Sequence, residues 1–292
     1  MVGHPLLARG VAVLSVLLLI ATAYVYLCRP YQLHWGATVA EIDRSMPGDQ
    51  LNTNPSFLAT RAITIGAPPE EVWPWLLQMG YGRAGFYGYD LLENAGSPEG
   101  LRSADEIIPR FQNFVIGDKV PISAVVSMSF HSIERNRYLI WLGSDTPNPG
   151  AFTWAVYPLD GDRTRLLSRI RWTYHPTSVI TFALELFTEF ADHVAVRKIL
   201  HGIKQRVEGD IEPMWVQNAE FATFMFTVIT FFAALVLLCW RRPTWWTWGG
   251  ALLAGMIWLA NWYAPIPTWS SILLALLAFS ALFLTHRADS SA

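Results

Sequence analysis

The stretch "APPEEVWPWLLQMGYGRAGFYGYD", Ala67 to Asp90, decides the fold. Inside it Gly80, Gly82 and Gly85 spell G-x-G-x-x-G, and Asp105 and Glu106 follow about 20 residues on, the spacing of a dinucleotide-binding fingerprint. That fingerprint needs a strand running into the glycines and a helix leaving them, so that a pyrophosphate meets free N–H groups at the helix start. Here the order is reversed. Two prolines and two glutamates open the upstream run, and Val72, Trp75 and Leu76 recur at helical spacing. Downstream, "FYGYD" is aromatic, interrupted by glycine and a poor helix start. The glycines therefore end a helix and begin an aromatic loop, and no nicotinamide cofactor is expected.

Upstream of this stretch, Thr60 to Ala67 is rich in β-branched residues and reads as a strand ended by Gly66 and Pro68. Downstream, after an irregular stretch containing "SADEIIPR", short strands are predicted near 118–123, 127–135, 137–144, 151–160 and 164–174. Turn signals between them predict an antiparallel meander. In the last, Leu166, Ser168, Ile170 and Trp172 alternate with Arg165, Arg169 and Arg171, which predicts one covered and one wet face. A long helix is predicted from about Pro176 to Glu208. Val196, Leu200, Ile203 and Val207 form its apolar stripe, with Arg197, Lys198, Lys204 and Arg206 on the other side. Strand, short helix, meander and long terminal helix make an α+β fold, with the long helix lying across a curved antiparallel sheet.

Composition adds a membrane region. Hydrophobic residues make up 52% of the 292 and charged residues only 15%, against about 25% in a soluble domain. The deficit is local. Gly10 to Cys28, Phe221 to Trp240 and Pro243 to Thr285 carry no Asp, Glu, Lys or Arg, and "APIP" breaks the last run at Pro265 and Pro267. One N-terminal and three C-terminal transmembrane helices are expected, bounding segments 1–34, 35–218 and 219–292. Tryptophans 215, 240, 245, 246, 248, 258, 262 and 269 cluster near the span ends, where indole rings prefer the headgroup region. Arg9, Arg241, Arg242 and Arg287 fall on one side of four spans and predict that side as cytoplasmic, leaving the middle domain outside. The first segment is also readable as a signal peptide ending at Ala21-Thr22-Ala23, which leaves the domain on the same side. Cys28 and Cys239 lie at opposite ends of their spans, too far apart for a disulfide.

The runs "WGATVAEIDRSMPGD", "TRAITIGAPPEEVWPWLLQMGYGRAGFYGYDLLENAG", "IGDKVP" and "HGIKQRVEG" resemble the SRPBCC superfamily over roughly residues 35–208. These are START-like, helix-grip proteins of polyketide cyclase/dehydrase and lipid-transport type, here in a membrane-anchored branch. The resemblance implies a deep apolar cavity between sheet and long helix. Members bind lipids, sterols or aromatic compounds, and a few catalyse cyclisation. By this resemblance the Gly/Tyr loop sits near the cavity mouth. The expected ligand-binding residues are Trp75, Met79, Tyr81, Phe86, Tyr87, Tyr89 and Asp90, with Phe130, Trp141 and Trp154 from the sheet. Arg83 and Asp90 are expected to pair and brace the loop. The competing reading is that these rings pack the domain against itself.

Other chemistry is sparse. Glu189 and His193 stand at i, i+4 on the long helix, a metal-compatible spacing with no matching second cluster, and Glu185 and Asp192 beside them read as an exposed acidic stripe. His131 and Glu134 point to opposite faces of one strand. Asp90, Glu93 and Asn94 follow the aromatic loop and are placed to meet a ligand hydroxyl. No nucleophile motif, phosphate loop or basic nucleic-acid stripe occurs, and no cofactor is expected. Three function classes follow: binding of a lipid or apolar small molecule near a membrane, a membrane-anchored cyclase- or hydrolase-like enzyme using the same cavity, and an assembly module. The last would use Gly250 and Ala254, or Ala251 and Gly255, as small-residue contacts.

Overall fold

Strand β1 (Phe57–Ile65) starts three residues earlier than its β-branched run, because Phe57, Leu58 and Ala59 pair with Trp172, Arg171 and Ile170 of the last strand. The computed structural model describes residues 11, 14, 15, 18, 21–143, 149–240, 245–263 and 268–289, with side chains described except at 238–240, 245–247, 258–263, 268 and 283–289. The chain divides into two compact units, Val25–Glu212 and Met1–Tyr24 with Pro213–Ala292.

In the first unit β2 (Lys119–Pro121), β3 (Ser127–Glu134), β4 (Tyr138–Leu142), β5 (Ala151–Leu159) and β6 (Arg163–Trp172) follow as a meander. The sheet order is β1-β6-β5-β4-β3-β2, antiparallel throughout. Short helices α1 (Arg29–Leu33) and α2 (Val39–Asp43) precede the sheet. Helix α3 (Pro69–Gln78) and the single turn α4 (Asp90–Glu93) lie between β1 and β2. The long helix α5 spans Val179–Glu208. It begins after Pro176 because Ser178 caps it: the Ser178 hydroxyl accepts from the Thr181 N–H, and Thr181 reciprocates. This is the α+β layout of a helix-grip fold.

One core cluster joins the inner sheet face to α5. Ile63, Ile65, Leu139, Val156 and Leu166 from the sheet meet Val196, Ile199, Leu200 and Ile203 from the helix. Full burial of each such side chain stabilises by about 1.5–3 kcal/mol. Of the cations assigned to the opposite side of α5, Arg206 is buried. It donates to the Ala104 carbonyl at 2.7 Å and its guanidinium lies over the Tyr87 ring.

Over β6 the outer face is not wet. Residues 35–52 form a strap across it, and the β6 arginines are its anchors. Arg165 pairs with Glu41 at 2.7 Å, and Arg169 and Arg171 share Asp49. All five N–H donors of Arg169 have acceptors: Thr60 Oγ1, Asp49 and the carbonyls of Glu41, Ile42 and Arg44. Beneath the strap Met46, Ala62, Ala155 and Leu167 pack together. The alternation in β6 is real, but both of its faces are covered, because a segment more than a hundred residues away supplies the counter-charges.

In the second unit α6 (Met214–Trp240), α7 (Trp245–Tyr263) and α8 (Thr268–Asp289) pack on one another through small residues, Ala234 with Ala251 and Ala254 with Ala278. Ala251 and Ala254 are thus already used inside the chain, which removes them from an outward assembly face. Among the described residues one helix is long and apolar enough to cross a membrane, Met214–Leu237, with mean hydropathy 2.0. Shorter apolar helices run over Trp248–Ile257 and Trp269–Leu282. Most of the expected first span, Arg9, Arg241, Arg242, the "APIP" break and the Arg287 side chain lie outside the described residues.

Candidate functional site

The glycine-rich loop closes on itself. The Gly80 and Gly85 amides exchange hydrogen bonds at 3.0 and 3.1 Å, the Tyr81 amide donates to Pro121, and the Ala84 amide to Gln78. The amides that a pyrophosphate would need are therefore consumed within the protein, in line with the reversed helix–glycine order. Gly80, Gly82 and Gly85 all take positive φ, which explains glycine at each.

The expected ring residues come together, on the dry side of this loop. Trp75, Met79, Phe86, Tyr87, Phe130, Trp141 and Trp154 are buried in the one core cluster, and Tyr81 packs against it with its hydroxyl on the Ala95 carbonyl. Tyr87 is 0% exposed, takes φ +66 and donates its hydroxyl to the Trp75 carbonyl at 3.1 Å. Burial pushes its phenol pKa up, so it stays protonated. Gly202 of α5 lies directly over it. Tyr89 is half-buried, with the Lys198 ammonium 5.6 Å from its ring centre.

Asp90 is buried and accepts from the Ser103 amide and the Asn94 side chain. The expected Arg83–Asp90 pair is absent. Arg83 instead donates to the carbonyls of Met79 and Leu77, which the end of α3 leaves without helical partners, and stacks over Phe111. Glu93 accepts from the Gly88 amide, and burial raises its carboxyl to about 7.

The inner face is crossed by residue rows set by the register. Arg61 of β1 stands opposite Ser168 of β6, which stands opposite Trp154 of β5. The next row is Ala59, Ile170, Phe152 and Trp141. The Arg61–Ser168 row separates the main core from a smaller cluster of Leu33, Phe57, Ala59 and Ile170, against which Phe152, Trp172 and Tyr174 pack partly buried. Trp172 lies flat across Gly143 and Gly150, whose missing side chains make room for it.

Around Arg61, which the sequence pattern left without a role, sits an ionic cluster. Arg61 donates to the Gln32 carbonyl at 2.9 Å and to Asp192 at 2.7 Å. His193 Nδ1 shares the Gln32 carbonyl at 3.1 Å, and Arg29 forks onto Glu189. Burial first, and then Arg61, pulls the His193 pKa down to about 2, so it is neutral. Burial pushes Asp192 up, and its Arg61 partner opposes that. Glu189 and His193 therefore have structural partners, and Asp192, expected on an exposed acidic stripe, is paired with Arg61. Among the described residues no group of three His, Cys, Asp or Glu side chains is placed to hold a metal. The overlooked signal was in β1 itself: Arg61 sits in phase with Phe57, Ala59, Ile63 and Ile65, a charge on the apolar side of the strand.

Elsewhere a surface pocket of about 480 Å³ is lined by Glu70, Trp73, Leu77, Gln112, Phe114 and Arg135. Its mixed lining carries no convergent chemistry.

No protein-family model matches the chain, and no curated protein is similar to it. Solved structures are similar over about half of it. MLL2253 of Mesorhizobium loti shares 16% identity over 51% of this chain and 96% of its own, with a TM-score of 0.31. TTHA0849 of Thermus thermophilus shares 12% over 52% and 97%, at 0.32. DynU16, from the dynemicin biosynthetic locus, shares 14% over 49% and 47%, at 0.28.

Proposed function

We propose that this chain is a membrane-anchored binding protein that takes one apolar small molecule or lipid between its sheet and α5. The observation that carries the reading is unequal closure of the inner face. At the glycine-loop end the rings of Trp75, Phe86, Tyr87, Phe130, Trp141 and Trp154 are buried. At the other end Phe152, Trp172 and Tyr174 are only partly covered, and the first half of α5 exposes Val179, Ile180, Phe182, Leu184 and Phe187. Val179 is 84% exposed. A concentration of exposed apolar side chains of this kind suits a ligand groove or a membrane contact. In this reading the ligand enters beside the start of α5. Trp75, Met79, Phe86 and Tyr87 form the closed floor, Phe130, Trp141 and Trp154 the wall, while Tyr81, Tyr89 and the buried Asp90 brace the loop.

Anchoring follows the same logic. The apolar α6, together with the other three uncharged segments of the sequence, supports a four-span arrangement. A lipid-sized ligand barely dissolves in water, and tethering the site near a bilayer raises its effective concentration. The test is photolabelling of the full chain in membranes with a diazirine-bearing long-chain alkane, followed by peptide mapping. Labels within 151–174 and 179–200 are expected. Labels confined to 214–289 would mean that the probe meets only the apolar helices, and the reading fails.

A further inference from the structure

Two buried arginines on neighbouring strands are treated differently. Arg169, on the outer face, has an acceptor for each of its five N–H donors. Arg61, on the inner face and 0% exposed, uses Nε and Nη1, but its Nη2 has no acceptor among the described residues. In the same row the Trp154 indole N–H also lacks an acceptor, and so does that of Trp141, diagonally beside it at 5.9 Å between ring centres. Both tryptophans are at least 98% buried. A buried donor left without an acceptor is costly, and three such donors on one sheet face concentrate that cost. The strap over Arg169 shows that this fold supplies acceptors where a guanidinium is only structural.

We propose, resting on the reading above, that these donors recognise an oxygen on the bound molecule, and that the oxygen is neutral, such as the carbonyl of an ester or ketone. The charge balance selects neutrality. Arg61 is matched by Asp192 and Arg29 by Glu189, and His193 is uncharged. A further carboxylate would leave an uncompensated negative charge in the core, whereas a carbonyl accepts N–H bonds without upsetting the pairing. Adjacent strands are about 4.8 Å apart, so Arg61 and Trp154 flank Ser168 across roughly 10 Å of backbone, a gap that two long side chains close over one head group. The apolar remainder of the ligand then runs past Ile170, Phe152 and Trp172 toward Tyr174, displacing the partly exposed rings.

The test is competition against the alkane photolabel on the full chain in membranes, comparing methyl palmitate, hexadecane and palmitic acid. The parent is set against Trp154→Phe, which keeps a ring and removes the N–H, with Trp141→Phe alongside in case the first variant does not fold. Comparing each competitor between parent and variant cancels its membrane partitioning. Methyl palmitate is expected to compete about threefold to tenfold less well in the variants, the effect of one neutral hydrogen bond. Hexadecane and ionised palmitate are expected to lose less than methyl palmitate does, since the smaller ring trims apolar contact with all three alike. An unchanged methyl palmitate curve overturns the proposal. So does an equal loss for hexadecane, which would report ring packing, or a larger loss for palmitate, which would report an anion site. Absence of labelling between 151 and 200 in the parent would instead bring down the binding site itself.

Discussion

Replacing Gly202 by Ala separates the grip of α5 on the glycine-rich loop from ordinary helix energetics. A Cβ at Gly202 would stand 1.9 Å from the Tyr87 carbonyl oxygen and 2.8 Å from its carbonyl carbon. Carbon–oxygen contacts normally stay at about 3.3 Å or more, so helix and loop must separate by roughly 1.4 Å. The loop has little freedom to yield. Tyr87 is held through its amide to Ser103, through its hydroxyl to Trp75 and by the Arg206 guanidinium 4.6 Å above its ring. Helix propensity alone favours Ala over Gly by about 1 kcal/mol. Overpacking costs about 1–3 kcal/mol and each lost Tyr87 hydrogen bond about 1 kcal/mol. The expected net effect is destabilisation by about 1–3 kcal/mol. Denaturant unfolding of the detergent-solubilised full chain, followed by near-UV circular dichroism, reads the buried tryptophans directly. A variant as stable as the parent, or more so, would refute the clamped loop and leave only the propensity gain.

Leu200→Ala on the same helix should cost about 2–5 kcal/mol, since Leu200 is wholly buried against the sheet; an unshifted unfolding curve would show that α5 is not docked there. Glu93 gives a pH signature. Its carboxyl rises from 4.5 to about 7 on folding, so the folded state holds a proton that the unfolded state releases, and stability should fall as pH rises through that window. Glu93→Gln should flatten this slope between pH 4.5 and 7; identical slopes in parent and variant would contradict the burial of the acid. For topology, a phosphatase fused near residue 210 should be active and a fluorescent protein there dark, and the reverse would place the domain in the cytoplasm.

The sequence carried the elements well where the driving pattern was local. The α3 helix, the meander and the stripe of Val196, Leu200 and Ile203 on α5 were legible because periodicity and turn residues act over a few positions. It failed where partners are distant. Nothing near Arg165 or Arg169 reveals Glu41 and Asp49, more than a hundred residues away, so a covered face read as a wet one. Arg206 misled for the same reason: its acceptors at Ala104 and Asp105 belong to another part of the chain. The ring residues of the candidate site were identifiable by type and density. Whether they gate or fill depends on Gly202 meeting Tyr87, a contact without a local signature. Arg61 was readable, since it interrupts the apolar phase of β1, yet it takes the register with Ser168 and Trp154 to give it a role.

Native mass spectrometry of the full chain, released gently from the membrane in which it is made, tests the binding role most directly. The expected result is a single apolar adduct of lipid-like mass at one per chain, lost when Ile170→Trp fills the open end of the inner face while detergent-labile lipids on the apolar helices remain. A bare chain under the same conditions, or an adduct that Ile170→Trp leaves untouched, would contradict a ligand held between the sheet and α5.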